Sequence, residues 1–338
     1  MRIVIYSPAF HPLIGGLEEV ARLCCLEFQR MGHDVTVLTD TEIGDKSELP
    51  FRVLRQASFM AQLSEVRNCD VFLEFNISLK GLIFPFLARK PAVVSHQTWF
   101  SDITRTPTFR ARLKRLASRF VTNITCSRAV QTYIDLPASV IPNAYNEQLF
   151  RILPEVERDR DVIFVGRLVS DKGCNVLVGA LAEMAKEELR PTLTITGSGP
   201  EEMALKQQIE NAGMTSQVRF TGPLRGEDLV REMNRHRIMV VPSLWAEPFG
   251  IVALEGIACG CRLIGSASGG LGEAIGACGK TFPNGKIESL AALLKGALMD
   301  GGMKAGTQEH LSRHTSRSVA IEYMRVLESV SKTPRHND

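Results

Sequence analysis

The sequence lacks the features of several protein classes. Its eight cysteines include no C-x-x-C pair and no cysteine–histidine cluster with zinc spacing. The most apolar run, GLIFPFLA at 81–88, is too short to span a bilayer and contains a proline. The opening residues, MRIVIYSPAF, lack the charged, apolar and cleavage regions of a signal peptide. We therefore expect reduced, buried cysteines and a cytoplasmic protein.

Charge of one sign is also scarce. The chain has 40 Lys and Arg against 37 Asp and Glu, a net charge of +3. That balance is not typical of a nucleic-acid-binding protein, so no nucleic-acid partner is expected. The 338 residues are 44% hydrophobic, an ordinary globular composition, and this length favours two domains.

Short apolar runs alternate with helical patterns in two series. The first series begins with RIVIYSP at 2–8, and the second restarts with DVIFVGRL at 161–168, after a charged segment at 151–160. Strands that are apolar throughout and alternate with helices indicate parallel sheets covered on both faces. We predict an α/β protein with two Rossmann-like doubly wound domains, residues 1–152 and 153–310, facing each other across a cleft. Residues 311–338 are predicted to form a C-terminal helix that packs back toward the first domain.

In the first domain, two features follow predicted strands. Gly15 and Gly16 lie between the first strand and the first helix, where a ligand could approach the backbone. His96 ends the strand AVVSH, where it could contact a sugar or carry a proton. Taken alone, an ordinary turn and a structural histidine explain both features as well.

In the second domain, cations follow the first strand. Arg167 and Lys172 lie in the segment GRLVSDKG, and an arginine fork with a lysine point charge suits a diphosphate. A solvated surface pair is the alternative. Gly197, in TGSGPEE, indicates close packing near a nucleotide, but the spacing is not that of a nicotinamide site.

Two carboxylates stand out in SLWAEPFGIVALEGIACG at 243–260. Glu247 is predicted to lie in the loop after a strand, and Glu255 about a turn and a half into the following helix. A charge in so apolar a helix needs hydrogen-bond donors, and the two hydroxyls of a ribose would supply them. The amides of Phe249, Gly250 and Ile251 are predicted to receive phosphate or sugar oxygens. A structural partner for Glu255, such as an arginine, is the alternative.

These elements together resemble glycosyltransferase family 4. The resemblance covers residues 2 to about 330 and is carried by Gly15-Gly16, His96, GRLVSDKG, GSGPEE and the E-x7-E element EPFGIVALE. Enzymes of this family are retaining, use nucleotide sugars and have the GT-B fold. The resemblance implies a hexosyltransferase of glycan or polysaccharide biosynthesis, with a nucleotide-diphosphate sugar as donor, UDP being favoured over GDP. The implied acceptor is a hydroxyl of a saccharide or of a lipid-linked molecule.

The resemblance also implies roles for individual residues. Arg167 and Lys172 would bind the diphosphate and neutralise the leaving group, so no metal and no cofactor would be required. Glu255 would hold the ribose. Glu247 would contact donor-sugar hydroxyls, and His96 would lie near the reaction centre. The implied donor-binding and catalytic residues are Gly15, Gly16, His96, Arg167, Lys172, Gly197, Glu247, Phe249, Gly250, Ile251 and Glu255.

Other functions stay open at this level. A GT-B nucleotide-sugar epimerase or hydrolase, or a nucleotide-sugar-binding subunit without turnover, would carry many of the same residues. The triplet Asp159-Arg160-Asp161 matches the D-x-D metal motif of a different glycosyltransferase fold. Here it falls in the predicted linker, and we interpret it as a solvated turn.

Residues 109–120, FRARLKRLASRF, place Phe109, Leu113, Leu116 and Phe120 at helical spacing among basic residues. One interpretation is an amphipathic helix that packs its apolar stripe on the sheet and exposes its basic side, and we slightly favour it. The other is a surface that contacts anionic lipid at the inner face of the membrane and brings the enzyme to a lipid-linked acceptor.

Overall fold

The computed structural model describes residues 1–13, 15–42, 49–101, 108–299 and 306–332. The chain separates into two compact units. Unit 1 comprises Met1–Ala144 with His314–Asp338, and unit 2 comprises Tyr145–Arg313. Each unit is a parallel α/β structure and is considered separately.

Among its described residues, unit 1 contains a seven-stranded parallel sheet in the order β3-β2-β1-β4-β5-β6-β7. Its strands are β1 Arg2–Tyr6, β2 Asp34–Thr39, β3 Arg52–Arg55, β4 Val71–Phe75, β5 Ala92–His96, β6 Thr122–Thr125 and β7 Ala138–Val140. The helices between them are α1 Gly16–Arg30, α2 Phe59–Asn68, α3 Leu79–Ala88, α4 Phe109–Ser118 and α5 Arg128–Ile134. The central strands β4 and β5 are buried along their whole length, as helices on both faces of a sheet require.

Hydroxyl side chains set the starts of four helices of unit 1. In each case the residue before the helix accepts a hydrogen bond from an amide in the first turn, which satisfies a donor that has no intrahelical partner. The capping residues of α2, α3, α4 and α5 are Ser58, Ser78, Thr108 and Ser127.

Within its described part, unit 2 contains a six-stranded parallel sheet in the order β10-β9-β8-β11-β12-β13. Its strands are β8 Arg160–Val165, β9 Leu193–Thr196, β10 Val218–Gly222, β11 His236–Val241, β12 Arg262–Ser266 and β13 Gly279–Phe282. Its helices are α6 Cys174–Ala185, α7 Glu202–Asn211, α8 Gly226–Asn234, α9 Ile251–Ala258, α10 Leu271–Ile275, α11 Ile287–Met299 and α12 Thr307–Arg313. The strand order reverses between β8 and β11, so the loops after these two strands flank the crevice where doubly wound sheets bind ligands.

The last helix, α13 Ser316–Lys332, belongs to unit 1 and packs on α1. Its Tyr323 is fully buried and stacks on Phe75 of β4, with ring centroids 5.9 Å apart. The Tyr323 hydroxyl lies 2.6 Å from Oγ of Ser95 on β5. The C-terminal segment therefore completes one face of the unit 1 sheet.

The fold confirms the expectation for the cysteines and contradicts the one for the D-x-D triplet. All eight cysteines are buried thiols, as predicted, and burial raises the pKa of the Cys69 and Cys261 thiols to about 11. The interpretation of Asp159-Arg160-Asp161 as a solvated turn is wrong. Arg160 and Asp161 lie in β8, and Asp159 pairs with Arg235 at 2.6 Å.

Candidate active site

The side chains of Lys172 and Glu247 meet in unit 2. Lys172 Nζ lies 2.6 Å from Glu247 Oε1, and Ser243 Oγ donates to the same oxygen at 2.7 Å. Lys172 ends a 3-10 turn, Ser170–Lys172, that follows β8, and Ser243 and Glu247 lie in the loop after β11. These are the two adjacent strands at which the sheet order reverses. The residue predicted to bind the diphosphate and the residue predicted to bind the donor sugar therefore lie side by side.

Backbone contacts explain why these loops converge. The carbonyl of Asp171 accepts hydrogen bonds from the amides of Leu244, at 2.9 Å, and Trp245, at 3.2 Å. Gly173 has a φ of +64°, and a Cβ there would lie 2.1 Å from the carbonyl oxygen of Pro242. A side chain at position 173 would therefore push the two loops apart.

The Glu247 loop is also fixed from the side of β12 and β13. Asn284 Nδ2 donates to the carbonyl of Ser243 at 2.9 Å, and its Oδ1 accepts from the amide of Ser268. Gly270 N donates to the carbonyl of Glu247 at 2.7 Å. Glu247 is thus 8% exposed and held by main-chain contacts as well as by its side chain.

Arg167 lies in the loop after β8 that also carries Lys172. It is exposed, two residues after the end of β8. The neighbouring backbone is tightly packed, since a Cβ at Gly197 would lie 1.8 Å from the carbonyl oxygen of Gly166. The glycine after β9 therefore allows the β8 and β9 loops to touch, as the GSG pattern predicted, and leaves the guanidinium of Arg167 open to solvent.

The residues predicted to bind phosphate and ribose lie at the start of α9. Gly250 is its N-cap, with a φ of +96° that favours glycine, Ile251 is its first residue, and Phe249 is buried. Glu255 is half-buried and shares a partly exposed face with Ile251 and Val252. Partial exposure accounts for a charge in this apolar helix, so the expectation that its burial demands a ligand is weaker than the sequence suggested.

His96, at the end of β5 in unit 1, is fully buried. Its Nε2 lies 2.8 Å from Oδ1 of Asn123, and because an amide oxygen only accepts, Nε2 carries the proton. Nδ1 has no hydrogen-bond partner among the described residues. Burial lowers the pKa of His96 to about 4, so near neutral pH the ring is uncharged and offers Nδ1 as an acceptor.

Gly15 and Gly16 also lie in unit 1, at the N-terminus of α1. A Cβ at Gly15 would lie 2.3 Å from Oε2 of Glu18, so the glycine makes room for that carboxylate. Glu18 and Glu19 both occupy the first turn. Glu19 pairs with Arg22 at 2.7 Å, but the negative charge of Glu18 opposes an anion at this helix end, which weakens the prediction of a phosphate contact there.

The sequence analysis missed Ser243 and Asn284. For Ser243, the available signal was a serine just after a strand and four residues before Glu247. Asn284 contacts the loop from 41 positions further along the chain, and only the fold shows it. Among the described residues, no group of three or more His, Cys, Asp or Glu side chains could hold a metal ion.

Comparison with known proteins places this geometry in a family. Residues 146–315, half of the chain, match the model of the family described as glycosyl transferases group 1. Over 142 residues the chain is 35% identical to the glycogen synthase of Mycobacterium tuberculosis, covering 41% of this chain and 34% of that protein. Over 259 residues it is 26% identical to the phosphatidyl-myo-inositol mannosyltransferase of Mycolicibacterium smegmatis, covering 72% of this chain and 66% of that protein. The chain therefore spans about a third to two thirds of the length of these curated relatives.

A solved structure resembles the whole fold. Anabaena Alr3699/HepE, crystallised with UDP and glucose, matches with a TM-score of 0.80 at 21% identity, covering 97% of this chain and all of that one. The predicted fold class, with two Rossmann-like units of the GT-B type, is confirmed. The matched segment contains Lys172, Glu247 and the loops that carry them. The chain belongs to the glycosyl transferases group 1 family.

Proposed function

We propose that this protein is a retaining glycosyltransferase that moves a hexose from a nucleotide-diphosphate sugar to an acceptor hydroxyl in glycan biosynthesis. The observation that carries the proposal is the Lys172–Glu247 pair at the reversal point of the unit 2 sheet. A cation for the leaving diphosphate and a carboxylate for the sugar hydroxyls are the two groups that this reaction needs at adjacent positions.

Lys172 is suited to the leaving group. Its side chain is 25% exposed, and its ammonium has three donors, of which the contact with Glu247 uses one. It can therefore bind a diphosphate oxygen while it still contacts Glu247. Arg167, exposed in the same loop, supplies the second cation. Positive charge placed where negative charge develops stabilises the transition state, and the proposal therefore requires no metal or other cofactor.

The other donor contacts follow from the start of α9. The first-turn amides of an α-helix have no intrahelical acceptor, so the amide of Ile251, the first residue of α9, is suited to phosphate or sugar oxygens, and those of Phe249 and Gly250 directly precede it. Glu255 lies one turn further along, on the partly exposed face of the helix, where its carboxylate can accept both ribose hydroxyls. The roles of Gly15, Gly16 and His96 toward the donor stay predictions.

UDP is the favoured nucleotide. The Anabaena structure with UDP and glucose supports testing it first. Thermal unfolding with UDP, GDP, ADP and their sugars tests the donor, and we expect a higher Tm with UDP or a UDP sugar because a ligand that binds only the folded state stabilises it. NMR of the anomeric proton in the product tests retention, and an inverted product would contradict that part of the proposal. Turnover that survives EDTA is expected.

A nucleotide-sugar epimerase or hydrolase would bind the same donor. Incubation of the donor without an acceptor separates these functions. An epimerised sugar nucleotide, or release of free sugar as fast as any transfer, would replace the glycosyltransferase proposal.

Exposed apolar side chains in unit 1 support the proposal of an acceptor at an anionic membrane. Helix α4 buries Ala111 and Ser118, whereas Phe109 and Phe120 are 73% and 72% exposed and Leu116 is 49% exposed. Leu113 is half-buried, but the other three members of the stripe are exposed, so the favoured interpretation, in which the apolar stripe packs on the sheet, is wrong. The adjoining helix α3 exposes Ile83, Phe86 and Leu87 as well. Exposed apolar side chains among arginines are typical of helices that lie in a membrane interface.

Within the described ranges, no helix is long and apolar enough to cross a bilayer. We therefore propose a peripheral contact through residues 109–120 that brings the enzyme to a lipid-linked acceptor. Flotation with anionic and with neutral phospholipid vesicles tests it. We expect binding to anionic vesicles that Phe109→Ser with Phe120→Ser abolishes, while Met203→Ser, at an equally exposed methionine of unit 2, leaves it unchanged. An absence of flotation at moderate salt would end the membrane proposal.

A further inference from the structure

The hydroxyl of Ser243 lies in the candidate site, and the donor contacts above do not use it. Ser243 is fully buried. Its Oγ donates to Oε1 of Glu247 at 2.7 Å, the oxygen that also faces Lys172 Nζ. Two donors therefore converge on one carboxylate oxygen, and Oε2 is left as the oxygen that neither of them engages.

We propose that Ser243 is a positioning residue that holds the Glu247 carboxylate in place for the donor sugar. This inference rests on the proposed function, because it assigns Glu247 to the sugar. With Oε1 occupied by Ser243 and Lys172, Oε2 is the atom that accepts a hydrogen bond from a sugar hydroxyl.

Lys172 alone would be a poor holder of this carboxylate. Its ammonium stands on a flexible four-carbon stem, and diphosphate binding draws the ammonium toward the phosphate oxygens. Ser243 has a single rotatable carbon bond between backbone and hydroxyl. It keeps its hydrogen bond to Glu247 while Lys172 shares its donors between Glu247 and the leaving diphosphate.

The backbone of Ser243 is itself fixed. Its carbonyl accepts from Asn284 Nδ2 at 2.9 Å, and the next amide, of Leu244, donates to the Asp171 carbonyl at 2.9 Å. The residue before it, Pro242, has a restricted φ and packs against Gly173. The Ser243 hydroxyl is thus anchored to the loop that carries Lys172 and to the loop after β13, so its position does not depend on the ligand.

The test compares Ser243→Ala with the parent protein. Calorimetry gives the Kd of UDP and of UDP-glucose, and release of UDP from UDP-glucose by transfer to water gives kcat without a known acceptor. We expect the Kd of UDP to stay within about twofold, and kcat to fall about 10- to 100-fold, the loss expected for one charge-assisted hydrogen bond.

Ser266→Ala is the matched control. Ser266 is also fully buried, at the end of β12. Its Oγ lies 3.5 Å from the Val241 carbonyl and is not hydrogen-bonded to Glu247. We expect parent-like kcat from this control, and a similar Tm for both alanine variants. Ser243→Thr, which keeps the hydroxyl, is expected to recover most of the lost kcat.

A second measurement tests whether Ser243 acts through Glu247. In a Glu247→Ala background, Ser243→Ala should leave the ratio of the Kd values for UDP and UDP-glucose unchanged, because the group that it positions is gone. A parent-like kcat in Ser243→Ala would overturn the inference. So would a change in the Kd ratio that Ser243→Ala causes equally in the Glu247→Ala background and in the parent protein. A parent protein that binds neither UDP nor UDP-glucose would overturn the proposed donor together with it.

Discussion

Replacing Lys172 by methionine tests the Lys172–Glu247 pair in two independent ways. The substitution keeps an unbranched side chain that is one atom shorter and removes the charge that lies 2.6 Å from Glu247 Oε1. Glu247 is 8% exposed and would keep the hydrogen bond that it accepts from the Ser243 hydroxyl. The variant therefore leaves a nearly buried carboxylate without its cation.

The expected loss of stability lies between two limits. Breaking a fully buried ion pair costs about 3–5 kcal/mol, and an exposed pair contributes about 0–1 kcal/mol. The lysine side chain is 25% exposed and the glutamate side chain 10% exposed, so the pair is intermediate. We expect a loss of about 1–3 kcal/mol, which lowers the Tm of a unit of this size by about 2–12 °C.

The second expected effect is on nucleotide binding. Loss of one charged hydrogen bond to the diphosphate removes about 1.5–3 kcal/mol of binding free energy, which raises the Kd of UDP about 10- to 150-fold. Calorimetric unfolding and titration with UDP measure the two effects on the same preparation.

The double variant Lys172→Met with Glu247→Gln separates them. A neutral amide needs no cation and can still accept from Ser243, so most of the lost Tm should return. Nucleotide affinity should stay low, because the diphosphate still lacks its cation. A parent-like Tm in Lys172→Met would refute the contribution of the ion pair to stability, and a parent-like Kd for UDP would refute the role of Lys172 toward the diphosphate.

Three further predictions concern single residues. Glu255→Ala should weaken UDP binding about tenfold with little change in Tm, and a parent-like Kd from calorimetry would contradict its ribose role. Gly81→Ala should lower the free energy of unfolding by about 1–3 kcal/mol in denaturant titration, because its Cβ would lie 2.3 Å from Glu74 Oε1 and 2.7 Å from Tyr6 Cδ1. Burial raises the pKa of Glu74 to about 8, so the folded state holds a proton that the unfolded chain releases above its ordinary value of 4.5. Stability from this group is therefore lost as pH rises toward 8, and Glu74→Gln should unfold at a higher temperature than the parent above that pH but not near pH 5.

The elements predicted most accurately were those whose residues are buried throughout. RIVIY and AVVSH are apolar runs bounded by turn residues, and both are central strands in which only Arg2 is exposed. The edge strands Arg52–Arg55 and Gly279–Phe282 were not predicted. Each is partly exposed and short, so hydrophobic burial leaves little pattern in its sequence.

The apolar stripe of α4 shows a different limit. Helical spacing correctly placed Phe109 and Leu116 on one side of a helix, with Phe120 just beyond its end, but spacing does not say whether that side meets the sheet or the solvent. The packing is decided by Ala111 and Ser118, whose small side chains let the opposite side of the helix approach the unit. That choice depends on the neighbouring elements, which the local sequence does not contain.

The sequence by itself determined the buried central strands, the loops after them and the residue types at the site, because hydrophobic burial and turn chemistry are local properties of the chain. It placed Lys172 and Glu247 at strand ends. Only the tertiary structure decided that they pair on one carboxylate oxygen with Ser243, that Glu255 lies on a partly exposed face, and that His96 is a buried neutral ring. Those outcomes depend on which strands become neighbours in the sheet, and contacts between residues 75 positions apart, as in the Lys172–Glu247 pair, are fixed by packing of the whole unit.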